Sequence, residues 1–335
     1  MRWLACELHT HTNHSDGKQT LEELTAGARR LGFDCIALTD HNTMSGLKDR
    51  ERIESETGLT IIPGMEWTTF YGHMVTVGSM SLAAADWRRA TPGNIAEGVA
   101  EVHRLGGLAG LAHPYRIGNP VCTGCYWEFE IQDWREIDYI EVWSKTFAPI
   151  QADNHRAFGL WTELLNAGVR IAATSGRDWH EQTETDDPLS VTYLGLEERS
   201  DEPLTVAAAA MAALGAGRAS VTIGPLLTME VRSEAGRAYG IGEAVPAGAN
   251  GFEARAQILF SVRQGLWELE PQPFRLLITG SAGTIAERTI EPADGDYALP
   301  FPPDASRPLW IRAELWGVVR GASVRIAFTN AIYFD

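Results

Sequence analysis

Leu4-Ala5-Cys6-Glu7-Leu8-His9-Thr10-His11-Thr12-Asn13-His14-Ser15-Asp16-Gly17 decides the reading of this chain. The apolar run Leu4 to Leu8 has the texture of a buried strand, and it ends on two histidines spaced two apart. Strand side chains alternate, so His9 and His11 project to one side, about 6.5 Å apart along the chain. Two imidazoles so placed converge on one ion at roughly 2.0–2.1 Å from each nitrogen. Asp16 follows within a Ser-Asp-Gly turn.

The same pattern recurs down the chain. Further strands are expected at Cys35 to Leu38, Leu59 to Ile62, Met74 to Val77, Leu108 to Ala112, Tyr139 to Val142, Val169 to Ala173 and Val191 to Leu194. Several end on metal-ligating residue types: Thr39-Asp40-His41, Gly64-Met65-Glu66, Ala112-His113-Pro114, and Ser175-Gly176-Arg177-Asp178-Trp179-His180. Helices are expected at Leu21 to Leu31, with a Thr20/Glu23 capping box, and at Asn94 to Leu105, Ile150 to Ala167 and Leu204 to Leu214. Gly32, Gly106, Gly168 and Gly215 follow them as stops. Seven or eight β–α units predict a closed or nearly closed barrel of parallel strands, whose C-terminal strand ends share one face. Imidazoles and carboxylates on that face are too many for a single tetrahedral ion, so two or three ions fit better.

After about residue 220 helical periodicity vanishes. Phe252 to Phe260, Phe274 to Ile278, Leu309 to Leu315 and Ser323 to Phe328 read as short antiparallel strands of a β-sandwich. The expected division is a barrel over 1–220 and a smaller β domain over 221–335.

Composition narrows the partners. The 335 residues are 44% apolar and 21% charged, as in a folded globular chain. With 28 Lys and Arg against 44 Asp and Glu, the net charge of −16 disfavours nucleic acid and anionic membranes. No stretch reaches the 18 or so apolar residues of a membrane span. The N-terminus shows no signal-like apolar core, so a cytoplasmic location is expected. Cys6 and Cys35 sit in strand-like runs as small hydrophobes; Cys122-Thr-Gly-Cys125 is either a redox or metal pair or a plain loop.

The ordered set H-x-H, S-D-G, T-D-H, G-x-E, H-P and D-x-H resembles the PHP family, the polymerase and histidinol phosphatase metallohydrolases. The strings Gly64 to His73, Ile140-Glu-Val-Trp143 and Gly176 to His180 look like its carbaryl hydrolase-like branch. The resemblance implies a distorted (β/α)7 barrel with a multinuclear metal site. By position it gives His9, His11 and Asp178 to a first metal, with Glu66 bridging to a second that His113 also binds, and Asp16, His41 and His180 to a third. Many members carry a further His on the strand at Tyr139 to Val142, where this chain has Glu141. Either Glu141 or His73 substitutes, or the site is binuclear.

The chemistry so implied is hydrolysis by a metal-bridging hydroxide, with two or three divalent ions of Zn, Mn or Fe. Glu66 holds the geometry, His73 is a candidate proton donor to the leaving group, and Arg177, Lys145 and Arg116 are candidate partners for an anionic small-molecule substrate. Asp40 either orients an imidazole or is a turn carboxylate. Trp67, Trp143 and Trp179 either line an aromatic pocket or pack in the core. His14 is a spare ligand candidate, and His103 and His155 read as surface residues. A phosphoesterase comes first; an ester, amide or carbamate hydrolase and a non-catalytic metal-binding module are the alternatives, with an exonuclease lowered by the charge. Oligomeric state is left open.

Overall fold

The structure, a computed structural model, describes residues 1–119, 123–197, 204–248, 251–301 and 307–335. The first part of the chain runs β1 (Arg2–Thr10), α1 (Leu21–Arg30), β2 (Cys35–Leu38), α2 (Arg50–Thr57), β3 (Thr60–Thr69), β4 (Gly72–Val77), α3 (Ile95–Arg104), β5 (Leu108–Leu111), β6 (Tyr139–Ser144), α4 (Ala152–Asn166), β7 (Ala172–Gly176), β8 (Val191–Leu196), α5 (Val206–Gly215) and β9 (Ala219–Thr222). The eight expected strands are all present. Helix α1 carries its capping box: Glu23 N–H donates to Thr20 Oγ1, and Thr20 N–H donates to the Glu23 carboxylate at 2.8 Å. Helix α2 had escaped the sequence reading because a short charged segment with one buried residue, Ile53, shows no apolar stripe. The expected stop at Gly215 lies within α5 instead, and the left-handed turn falls on Gly217 at φ +67°.

Among the eight expected strands, β4 and β8 depart from an all-parallel arrangement. Strands β1–β2, β2–β3, β5–β6 and β6–β7 pair in parallel, whereas β4 is antiparallel to both β3 and β5. Only Phe70 and Tyr71 separate β3 from β4, which permits a hairpin and forbids the long crossover that a parallel pair needs. Strand β8 is likewise antiparallel to β1. The row nonetheless curls back on itself: His11 N–H donates to Trp179 O at 2.9 Å and Trp179 N–H to His9 O at 3.0 Å, joining the end of β1 to the chain just beyond β7. Ends of β1, β2, β3, β5, β6 and β7 therefore gather at one rim, and antiparallel β4 brings its start there.

The remaining strands are β10 (Leu226–Ser233), β11 (Ala238–Gly240), β12 (Ala244–Val245), β13 (Phe252–Leu259), β14 (Phe274–Gly280), β15 (Gly283–Ile290), β16 (Gly295–Pro300), β17 (Trp310–Val319), β18 (Ala322–Thr329) and β19 (Ile332–Phe334). Four of them form a separate antiparallel sheet in the order β11-β10-β13-β16, with β10 lying against β17 and β18. The expected boundary at residue 220 falls inside β9, which pairs with β8 on one side and β18 on the other, so one sheet runs through both parts.

This junction braces the rim. Phe328 of β18 packs edge-on against Trp143 of β6 and Phe158 of α4. The Asn330 amide accepts from Ala173 N–H at 2.7 Å and donates to Ala173 O at 2.8 Å, holding β7 in place. Trp143, Trp67 and Trp179 are all buried and pack in the core, and Trp67 and Trp179 each also present an edge to a surface cavity. Cys6 and Cys35 sit buried opposite one another on β1 and β2. Cys125 is buried, and Cys122 lies outside the described residues. Among the described residues no helix is long and apolar enough to cross a membrane.

Candidate metal centre

Glu66, fully buried in the second half of β3, is the hub of the rim. Its Oε2 lies 3.3 Å from His9 Nε2, 3.5 Å from His11 Nε2 and 2.8 Å from His41 Nδ1. Its Oε1 lies 3.0 Å from His73 Nδ1 and 3.3 Å from His113 Nε2. The hairpin explains His73: it pairs with Thr68 across β3–β4, so the strand's start faces the end of its neighbour.

Three groupings of ligand atoms emerge. In the first, His9 Nε2 and His11 Nε2 face both Glu66 Oε2 and Asp178 Oδ1, the latter at 3.3 and 2.9 Å. Atoms bound at 2.0–2.1 Å around a tetrahedral ion stand about 3.4 Å from one another, which is the scale of these separations. None of the four atoms has a hydrogen-bond partner although all are buried. Unpaired buried polar atoms each cost about 1–3 kcal/mol, and four of them aimed at one point are explained by a cation there. The second grouping joins His11 with Asp16, His41 and His180; Asp16 Oδ1 is 3.3 Å from His41 Nε2 and 3.1 Å from His180 Nε2. It is more open, since the Asp16 side chain is 60% exposed. The third joins His41, Glu66 and His73.

Electrostatics agree with a site built for cations. Burial pulls His11 down to about 4, leaving it neutral with a lone pair to give. Burial opposes the charges of Glu66 and Asp178, yet the surrounding imidazoles, and Arg116 beside Asp178, hold both well below the usual carboxylate range. Burial also opposes protonation of His9, but Glu66, Glu141 and Asp178 outweigh it and lift His9 well above its ordinary value. The cluster thus recruits positive charge, and its donors suit divalent ions. At the rim His113 at φ +30° and Asp178 at φ +56° hold left-handed backbone, which costs on the order of 1 kcal/mol each and is sustained by the packing around them.

The supporting contacts are what sequence reasoning missed. Glu141 is turned onto a ligand: its Oε2 accepts from His9 Nδ1 at 2.7 Å, fixing which nitrogen faces the cluster. Glu7, two residues ahead of His9, accepts from the backbone N–H groups of His9 and Arg177 and so ties β1 to the segment after β7. Thr68 Oγ1 bonds His41 Nδ1. Asp40 is a turn carboxylate rather than an orienter of His41: it accepts from Thr12 N–H at 2.6 Å, Thr12 Oγ1 at 2.7 Å and Ser15 Oγ at 2.9 Å, shaping the turn that presents Asp16. The i, i+2 signal that found His9 and His11 marked Glu7 equally well.

Other expected residues fall elsewhere. The Arg177 guanidinium lies 4.6 Å over the Trp179 ring, in a cavity lined by Leu31, Gln182 and Leu189 that contains no candidate ligand. Arg116 is the cation at the centre instead, paired with Asp178 and Ser144. Lys145 pairs with Asp153 at 3.0 Å. His73 has Nδ1 on Glu66 Oε1 at 3.0 Å and Nε2 on Thr123 O at 3.3 Å, so both of its ring nitrogens face acceptors. His14 bonds Ser45 Oγ, and His103 and His155 are exposed.

A curled α/β sheet with a carboxylate-centred histidine cluster at its rim defines the class. Residues 7–103 match the family described as the PHP domain. An uncharacterized protein of Methanocaldococcus jannaschii is 26% identical over 130 residues, 36% of this chain and 71% of that one. A 5'-3' exoribonuclease of Haemophilus influenzae is 36% identical over 63 residues, and one of Salmonella typhimurium 28% identical over 157. The matched stretches cover 19% and 42% of this chain, and only 23% and 53% of those two proteins. A crystal structure of a two-domain protein containing a predicted PHP-like metal-dependent phosphoesterase, from Bacteroides vulgatus, superimposes with a TM-score of 0.56 at 14% identity, covering 99% of this chain and 95% of that one. At that identity the likeness speaks to the fold. Together these findings support the PHP family.

Proposed function

We propose that this chain is a metal-dependent hydrolase acting on a small phosphoester. The observation that carries the reading is the set of four orphaned, converging atoms on His9, His11, Glu66 and Asp178. The Bacteroides vulgatus neighbour, described as containing a predicted PHP-like metal-dependent phosphoesterase, is in keeping with phosphorus as the centre attacked.

His9, His11, Glu66 and Asp178 would hold one ion, and Asp16, His41 and His180 another; Glu66 Oε1 with His73 and His113 offers a further position. Such ions acidify water and polarise phosphoryl oxygens. The chain's own part is to keep the ligands aligned. Glu141 leaves His9 with its Nε2 lone pair directed inward, Thr68 does the same for His41 by engaging Nδ1, and Arg116 neutralises the outer oxygen of Asp178. A cleft of about 330 Å³ opens beside Thr68, walled by Phe70, Tyr71 and Trp87 with Arg88. It would take the organic part of the ester, and its modest size together with the −16 charge favours a small molecule over a polynucleotide.

The test is a side-by-side assay of metal-replete protein on 4-nitrophenyl phosphate, 1-naphthyl acetate, 1-naphthyl methylcarbamate and a short oligoribonucleotide, with and without chelator. Chelator-sensitive turnover of the phosphate is expected. Turnover of the carboxyl substrates alone would move the reading to an ester or carbamate hydrolase, and turnover of none would remove it.

A further inference from the structure

Arg116 stands where positive charge matters most. Its half-buried guanidinium bridges Asp178 Oδ2 and Ser144 Oγ, the last residue of β6, while Asp178 Oδ1 faces His9 and His11. Strand β6 sends no imidazole to the rim, because Glu141 is turned onto His9 and Ser144 onto the guanidinium. The third grouping is correspondingly weak. His41 is engaged at Nδ1 by Thr68 and faces Asp16 through Nε2, so it belongs with the second grouping. An imidazole gives one lone pair to one ion.

We propose that the centre holds two divalent ions, on His9, His11, Glu66 and Asp178 and on Asp16, His41 and His180, and that the Arg116 guanidinium supplies a third positive charge as a fixed part of the chain. This rests on the metal-dependent reading above. Arg116 N–H donates to His113 O at 2.9 Å, and His113 Nε2 lies 3.3 Å from Glu66 Oε1, the oxygen that a further ion would share. A guanidinium keeps its charge at every accessible pH, and repulsion of a third dication in this buried setting is screened little by water. Unlike an ion, it also survives chelation, so Asp178 keeps its orientation in metal-free protein.

Counting metal tests this without assaying activity. Full-length protein is loaded with excess Mn or Zn, freed of unbound ion and analysed by elemental mass spectrometry. Two equivalents per chain are expected for wild type and for Arg116→Lys, rising toward three in Arg116→Ala, with circular dichroism confirming the fold of each variant. Three equivalents in wild type, or a count still at two in folded Arg116→Ala, would overturn the proposal; the wild-type count decides even where the variant fails to fold. Protein that binds no metal would instead overturn the metal-dependent reading.

Discussion

Glu141 Oε2 accepts a hydrogen bond from His9 Nδ1 at 2.7 Å, so the residue that occupies an expected ligand's strand acts on the metal centre from behind a ligand. Removing such a partner loosens the ring and weakens metal binding by about 10–100-fold. Glu141→Ala is expected to show that loss in a metal titration, and Glu141→Gln, which still accepts a hydrogen bond, a smaller one. Unchanged affinity in both would strip Glu141 of this role.

Gly176 makes room for that pair. A Cβ added there would stand 2.4 Å from Glu141 Oε2 and 2.5 Å from His9 Cβ, closer than real contacts allow. Gly176→Ala is therefore expected to cost about 1–3 kcal/mol in stability and to impair metal binding together. A thermal melt indistinguishable from wild type would contradict this.

Metal removal should lower stability, because ions that bind only the folded chain stabilise it by mass action. At a free concentration a hundredfold above Kd the gain is about 2.7 kcal/mol. Chelated wild type is expected to melt lower than loaded protein, and His11→Ala, which loses a ligand from the first grouping, to show a much reduced difference. A chelator-insensitive melting temperature in wild type would count against the centre.

Far from the centre, Glu314 sets an acid limit. Burial opposes its ionisation, yet Arg325 and Arg312 outweigh burial and hold its carboxyl down to about 2, against an ordinary 4.5. A carboxyl depressed in the folded state stabilises fully above its unfolded pKa and loses that contribution as pH falls through the folded one, here from 4.5 toward 2, worth roughly 3 kcal/mol. Glu314→Gln is expected to melt well below wild type at neutral pH, with the gap narrowing as the pH is lowered toward 2. A gap independent of pH would show that the two guanidinium groups do not act through this charge.

Much of the candidate centre was legible because each of its ligands lies in a short motif at or near a strand. His9 and His11 follow from strand alternation alone, and Glu66, His113, Asp178 and His180 each mark the end of an apolar run. Strand direction was harder to read. An apolar segment such as Met74 to Val77 looks alike in either orientation, and only the two-residue connection at Phe70 and Tyr71 held the signal for a hairpin. Arg177 and Arg116 are equally plausible in a string of letters, since each closely follows a strand end. Their difference lies in what each side chain meets, Trp179 for Arg177 and Asp178 for Arg116.

The sequence by itself determined which residues can bind metal, the order in which they occur and the strands that carry them, because those depend on residue chemistry and short-range periodicity. The tertiary structure alone decided that Glu66 touches five imidazoles, that Glu141 serves His9, and that Arg116 rather than Arg177 is the cation beside them. Such pairings join side chains up to 132 residues apart. They are fixed by how the sheet curls and where β9 ties it to the C-terminal strands, which no local pattern encodes.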